Sequence, residues 1–156
     1  MNARKRILAV DDEPDVLDLL AIILESDGHE VVKARDAAQA MEAMREQSFD
    51  LITLDLCMPE TGGDELQQML SGTFGYGRRV STKLPHKLPP ILVITGMEDE
   101  EAIERLLLGE RVVGVLQKPM RFRDLLRITR DLFDWEDYKR SRHDLPVATR
   151  TPERVS

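Results

Sequence analysis

A single cysteine, Cys57, occurs in the 156 residues, so no disulfide can form within the chain. That usage points to a reducing compartment, and the cytoplasm is the expected location. No apolar run approaches the roughly 20 residues of a membrane span. The opening Met1-Asn2-Ala3-Arg4-Lys5-Arg6 leads into an apolar stretch that Asp11 ends too soon for a signal-peptide core, so neither membrane insertion nor export is expected. A basic excess is also missing: the net charge is −7, which argues against general nucleic-acid binding. Aromatic residues make up only 4%, and Trp135 and Tyr138 are expected to anchor a C-terminal helix rather than form a binding platform. No internal repeat is evident. With 42% hydrophobic and 33% charged residues, the composition is that of one globular domain long enough to bury a core.

The chain is organised around Arg6-Ile7-Leu8-Ala9-Val10-Asp11-Asp12-Glu13-Pro14. An aliphatic run that breaks into acids reads as a strand buried on both faces, with the acids just past its carboxyl end. Open parallel sheets place ligand crevices there. Acids crowded in such a crevice repel one another unless something positive joins them, and oxygen-rich ligands suit Mg²⁺. Equally, Asp12 or Glu13 could serve only to favour the start of the next helix, with Pro14 in its first turn.

Downstream, Val16, Leu17, Leu19, Leu20, Ile22, Ile23 and Leu24 recur at helical spacing until Gly28. Val31-Val32 mark a second strand over residues 30–34. Asp36 is placed to cap a helix with Ala37, Ala40, Met41 and Met44 on one face. A third strand over 49–55 again ends in a carboxylate, Asp55. A loop then leads to a short helix over 64–70. Residues 91–95 and 112–117 read as strands, 98–108 as a helix with an acidic first turn, and 122–138 as the last helix. Strands alternating with helices predict an α/β fold, a doubly wound parallel sheet of five strands.

Residues 71–87 differ in character, with Gly72, Gly75 and Gly77 followed by Arg78, Arg79, Lys83 and Lys87. They read as a long basic surface loop, with a docking patch as the functional alternative. As a phosphate cradle the glycines lack the Gly-Lys-Ser/Thr ending and follow a helix rather than a strand. The expected organisation is a domain over 1–138 and a polar, poorly packed tail over 139–156.

In a parallel sheet, Asp11 and Asp12, Asp55, Thr95 and Lys118 all fall at one edge, each at the end of a strand. Each alone has a bland account, because a terminal threonine is common and a lysine is usually solvated. Together they describe a site. A carboxylate can attack phosphorus and form an acyl phosphate, and such a transfer needs positive charge beside the equatorial oxygens. Mg²⁺ held by Asp12 and Asp55, with Asp11 acting through a bound water, would provide part of it. Lys118 would offer a point charge to Asp55 and then to the phosphoryl group, and Thr95 a hydrogen bond. Gly96 leaves room for the incoming group.

Asp11-Asp12-Glu13, Asp55 in Leu54-Asp55-Leu56-Cys57-Met58-Pro59, Thr95-Gly96 and Lys118-Pro119 make the chain resemble the receiver domain of two-component response regulators, from about Arg6 to Phe133. The resemblance implies the flavodoxin-like sheet with strand order 2-1-3-4-5. It implies Asp55 as phosphoacceptor, with Asp12 and Asp55 as direct ligands of Mg²⁺ and the backbone carbonyl of Cys57 as a third. Lys118 and Thr95 become the switch pair, and Lys118-Pro119 a cis peptide that aims the lysine inward.

Three departures from the family pattern matter. Val115 stands three positions before the lysine, where receivers usually carry Tyr or Phe. Phosphorylation is therefore expected to move Thr95 and its loop while changing the face of the last two helices less. Cys57 and Met97 flank the acyl phosphate position, and neither can orient an attacking water, so a long-lived phosphoryl group is expected. Asp55 and Thr95 are 40 positions apart, more than is usual, because of the basic loop.

The resulting expectation is a stand-alone receiver, not a turnover enzyme. It would take its phosphoryl group from a sensor histidine kinase or a histidine phosphotransfer protein and signal to a downstream protein by contact. A homodimer is left open, and so is a non-phosphorylated binding module that keeps the fold. A Mg²⁺-dependent aspartyl phosphohydrolase fits less well, because it wants a second Asp two residues after the nucleophile and position 57 is Cys.

Overall fold

The computed structural model describes residues 3–56, 89–96, 98–107 and 111–143. The expected helix over 64–70, the basic loop over 71–87, Cys57, Met97 and the chain beyond 143 lie outside the described residues. Among the described residues the elements run β1 (Arg6–Val10), α1 (Pro14–Ser26), β2 (Glu30–Ala34), α2 (Ala37–Glu46), β3 (Leu51–Leu54), β4 (Ile91–Thr95), α3 (Glu100–Leu107), β5 (Val112–Gln117) and α4 (Phe122–His143). The strands form one five-stranded, all-parallel sheet in the order β2-β1-β3-β4-β5.

Period-two alternation sorts each central strand onto two cores. Leu8, Val10, Ile52, Leu54, Ile91 and Val93 meet Ala40, Met41 and Met44 of α2. On the other face Ile7, Ala9, Leu51, Leu92 and Ile94 meet Leu17, Leu20 and Leu24 of α1 and Leu125 and Phe133 of α4. Being covered on both sides is why the central strands read as unbroken aliphatic runs.

The helix ends follow local chemistry. Asp36 caps α2 by accepting from Gln39 N at 2.7 Å, while the Gln39 side chain accepts from Arg35 N at 2.8 Å. At the end of α1, Gly28 N donates to Glu25 O and His29 N to Leu24 O, with Gly28 at φ 90°. This paired closure needs a residue with positive φ after the cap, and glycine adopts it without a Cβ clash.

Five sequence expectations shift. Leu19 and Ile22 belong to the apolar pattern of α1 but are 47% and 67% exposed, so the buried stripe is narrower than the pattern. β3 covers 51–54 rather than 49–55, and α3 begins at Glu100 rather than at 98, its expected last residue 108 lying outside the described residues. α4 continues past Tyr138 to His143, because Lys139-Arg140-Ser141-Arg142 contains no helix breaker and Lys139 pairs with Glu136 at 2.8 Å. Finally, Trp135 and Tyr138 do not anchor α4. They stack on each other with centroids 5.7 Å apart and are 42% and 43% exposed, whereas Phe133 fills the core.

α4 is tied to the amino end of the sheet by polar contacts. Arg130 makes two hydrogen bonds to Asp27, at 2.7 and 3.1 Å, and the buried Lys5 ammonium meets Asp137 at 2.7 Å. His29 lies between them, edge-on to the Phe133 ring at 5.0 Å.

Candidate functional site

Beyond the carboxyl ends of the strands, backbone bonds continue in step with the sheet. Asp11 N donates to Ala34 O, Asp55 N to Val10 O and Lys118 N to Thr95 O, at 3.1, 3.0 and 2.9 Å. These bonds bring the predicted residues of four strand ends to one edge. Asp11 is 1% exposed, Asp55 3%, and Thr95 is fully buried.

The Lys118 ammonium is the centre of the arrangement. Its Nζ donates to Asp11 Oδ2 at 2.8 Å, to Asp55 Oδ2 at 2.9 Å and to Glu13 Oε1 at 3.3 Å. The Lys118-Pro119 peptide is cis, as the resemblance implies. Burial by itself disfavours the ammonium, but its bonds to Asp11 and Asp55 outweigh that and hold Lys118 above the ordinary lysine value. Burial pushes the Asp11 carboxyl above the usual carboxylate value, against the pull of Lys118 and of a bond from Glu13 N to Asp11 Oδ1 at 2.9 Å.

Oxygens of Asp11, Asp12, Glu13 and Asp55 lie within 4.8 Å of one another. Among the described residues the cluster is four carboxylates, a hard, all-oxygen donor set, which fits Mg²⁺ better than a softer metal. One ammonium cannot balance so many acids, so the crevice favours a further cation. Glu13 is the N-cap residue of α1, but its side chain makes no capping bond and turns to Lys118 instead.

Each site residue expected from the sequence that lies among the described residues falls at this edge: Asp11, Asp12, Asp55, Thr95 and Lys118. Cys57 and Met97 lie outside the described residues. Two features went unread. Glu13 was read as a third acid of the crevice or a helix-start residue and not as a partner of Lys118, although its place one residue after Asp12 carries it there. Thr53, two residues before Asp55, has a buried hydroxyl with no hydrogen-bond partner among the described residues, and a Thr within an aliphatic strand gives little warning of that. Val115 is half-buried and packs on the α2 side of the sheet, where it pairs in register with Val93, two residues before Thr95.

A family model described as the response regulator receiver domain matches residues 7–130. Among curated relatives, the response regulator GtcR of Aneurinibacillus migulanus is 31% identical over 67% of this chain and 38% of its own length. The DNA-binding response regulator MtrA of Mycolicibacterium smegmatis is 34% identical over 61% of this chain and 40% of its own. This chain thus spans well under half the length of either relative. A CheY-like receiver domain protein from Methanospirillum hungatei has a crystal structure that matches with a TM-score of 0.69 and 28% identity, covering 88% of this chain and 99% of that one.

Proposed function

Since the chain belongs to the response regulator receiver domain family, we propose that it is a phosphorylation switch whose phosphoacceptor is Asp55. The observation that carries this reading is the shared Lys118 ammonium, 2.8 and 2.9 Å from two nearly buried carboxylates at one sheet edge. The donor is a phosphohistidine on a sensor kinase or phosphotransfer protein. An Asp55 carboxylate oxygen attacks phosphorus, the P–N bond to the imidazole breaks, and the leaving nitrogen keeps the electron pair and takes up a proton. The product is an acyl phosphate on Asp55.

Asp12 and Asp55 would hold Mg²⁺ directly and Asp11 through a water, and the ion would supply positive charge to the phosphoryl oxygens. Lys118 meanwhile neutralises Asp55 beforehand and then follows the charge to a phosphoryl oxygen. The Thr95 hydroxyl donates to the group once it arrives. Among the described residues no helix is long and apolar enough to cross a membrane. The signal leaves by protein–protein contact.

Intact mass after incubation with a small phosphodonor tests the proposal. One phosphoryl adduct is expected with Mg²⁺ and none without it, and none in Asp55→Asn. An unmodified wild type that still binds Mg²⁺ would leave a binding module that keeps the fold.

A further inference from the structure

We infer that Glu13 is a positioning residue: its carboxylate keeps hold of the Lys118 ammonium while a cation takes over the Asp55 oxygen and the cation's bound water takes over that of Asp11. The inference deepens the proposed function and rests on it.

The hydrogen-bond inventory of the crevice leads there. An ammonium has three donors, and those of Lys118 go to Asp11 Oδ2, Asp55 Oδ2 and Glu13 Oε1. The remaining oxygen of Asp11 accepts from Glu13 N at 2.9 Å. Asp11 therefore has no oxygen clear of a hydrogen bond, and Lys118 occupies both the Asp55 oxygen that faces a cation and the Asp11 oxygen that the cation's bound water would use. A cation drawn to these oxygens competes with the ammonium for them.

The acceptors differ in freedom. The Asp11 and Asp55 side chains are 2% and 3% exposed and fixed at strand ends, whereas that of Glu13 is 62% exposed. Only Glu13 can swing with the lysine. Its own helix makes no use of the carboxylate, since the α1 cap has no side-chain bond. Held by Glu13 at the mouth of the crevice, Lys118 waits where an incoming phosphoryl oxygen would meet it. Without that acceptor, the ammonium clings to Asp11 and Asp55 or leaves for water.

Two variants separate this role from the plain effect of a nearby negative charge. Glu13→Gln removes the charge. Glu13→Asp keeps it but shortens the arm by one methylene, about 1.5 Å, so the carboxylate falls short of Lys118. Aspartate is also a good N-cap, so the fold is kept. Both variants are expected to weaken Mg²⁺ binding measured by calorimetry by about 2- to 5-fold, the scale of a partly exposed ion pair. In ¹⁵N-lysine spectra of the Mg²⁺-loaded chain, the Lys118 ammonium signal should persist in wild type and be lost to solvent exchange in Glu13→Asp.

Glu13→Asp binding Mg²⁺ as wild type does, with an unchanged Lys118 signal, overturns the inference. A hundredfold loss in Glu13→Gln with the Lys118 signal intact also overturns it, because Glu13 would then be a ligand. A wild-type chain that binds no Mg²⁺ sinks both this role and the proposed function. Binding with the expected Glu13 dependence but no phosphoryl adduct sinks only the proposed function.

Discussion

Lys118 Nζ stands 2.9 Å from Asp55 Oδ2 across the crevice, and a second carboxylate, Asp11, shares the same ammonium at 2.8 Å. Removing a partner from a fully buried ion pair costs about 3–5 kcal/mol. The Lys118 side chain is 17% exposed, so water offsets part of that. Lys118→Met is expected to destabilise the fold by about 1–3 kcal/mol at neutral pH, read from urea unfolding. The loss should shrink as pH falls into the carboxylate range. Burial already raises the Asp11 carboxyl, and protonation then relieves a charge left without its partner. Since the ammonium competes with a cation for the same oxygens, the variant should bind Mg²⁺ more tightly than wild type. Weaker binding would mean that Lys118 does not occupy the metal's oxygens.

His29 sets a second pH dependence at the other end of the sheet. Its Nδ1 accepts from Lys5 N at 3.2 Å, which requires the neutral ring. Burial pushes the imidazole below its usual value of 6.5, outweighing the attraction of Asp27, while Lys5 and Arg130 push it further down. A histidine depressed in the folded state binds fewer protons there than in the unfolded chain. Its contribution is therefore complete above pH 6.5 and lost as pH falls below it. Melting temperature should drop between pH 7 and pH 5 in wild type. It should drop less in His29→Asn, which offers Lys5 N an acceptor near the Nδ1 position without titrating. Parallel profiles would show that His29 stays neutral throughout.

The fold and most of the site were legible because both rest on strong local signals. Asp11, Asp55, Thr95 and Lys118 each end an aliphatic run, and a parallel sheet leaves only one edge for such ends. Helix faces were less legible. Leu19 and Ile22 satisfy the helical period as well as Leu20 and Ile23 do, and periodicity does not say how wide a stripe the sheet covers. The end of α4 and the fate of Trp135 were misread for a related reason. Polar composition suggests a tail, yet i,i+3 pairs such as Glu136–Lys139 extend a helix, and aromatic bulk alone does not fix which side faces the core. Glu13 was hidden in its position, since an acid before Pro14 fits a helix start and a crevice equally well.

Thr53 supplies a test of the packing beneath the site. It is 1% exposed, lies in register between Ala9 and Leu92, and its hydroxyl finds no hydrogen-bond partner among the described residues. Its neighbour on β3, Leu51, packs with Ala9 and Leu92 on the α1 side of the sheet. Alternation puts Thr53 and Asp55 on that same side, so the hydroxyl sits just below the Asp55 carboxylate. An unsatisfied buried hydroxyl costs about 1–3 kcal/mol. Thr53→Val keeps the shape and removes that cost, so a stabilisation of about 1 kcal/mol in urea unfolding is expected. Mg²⁺ affinity should be unchanged, because Thr53 offers the crevice no ligand. A destabilised variant would instead assign the hydroxyl a partner such as an internal water, and the floor of the crevice would then be polar.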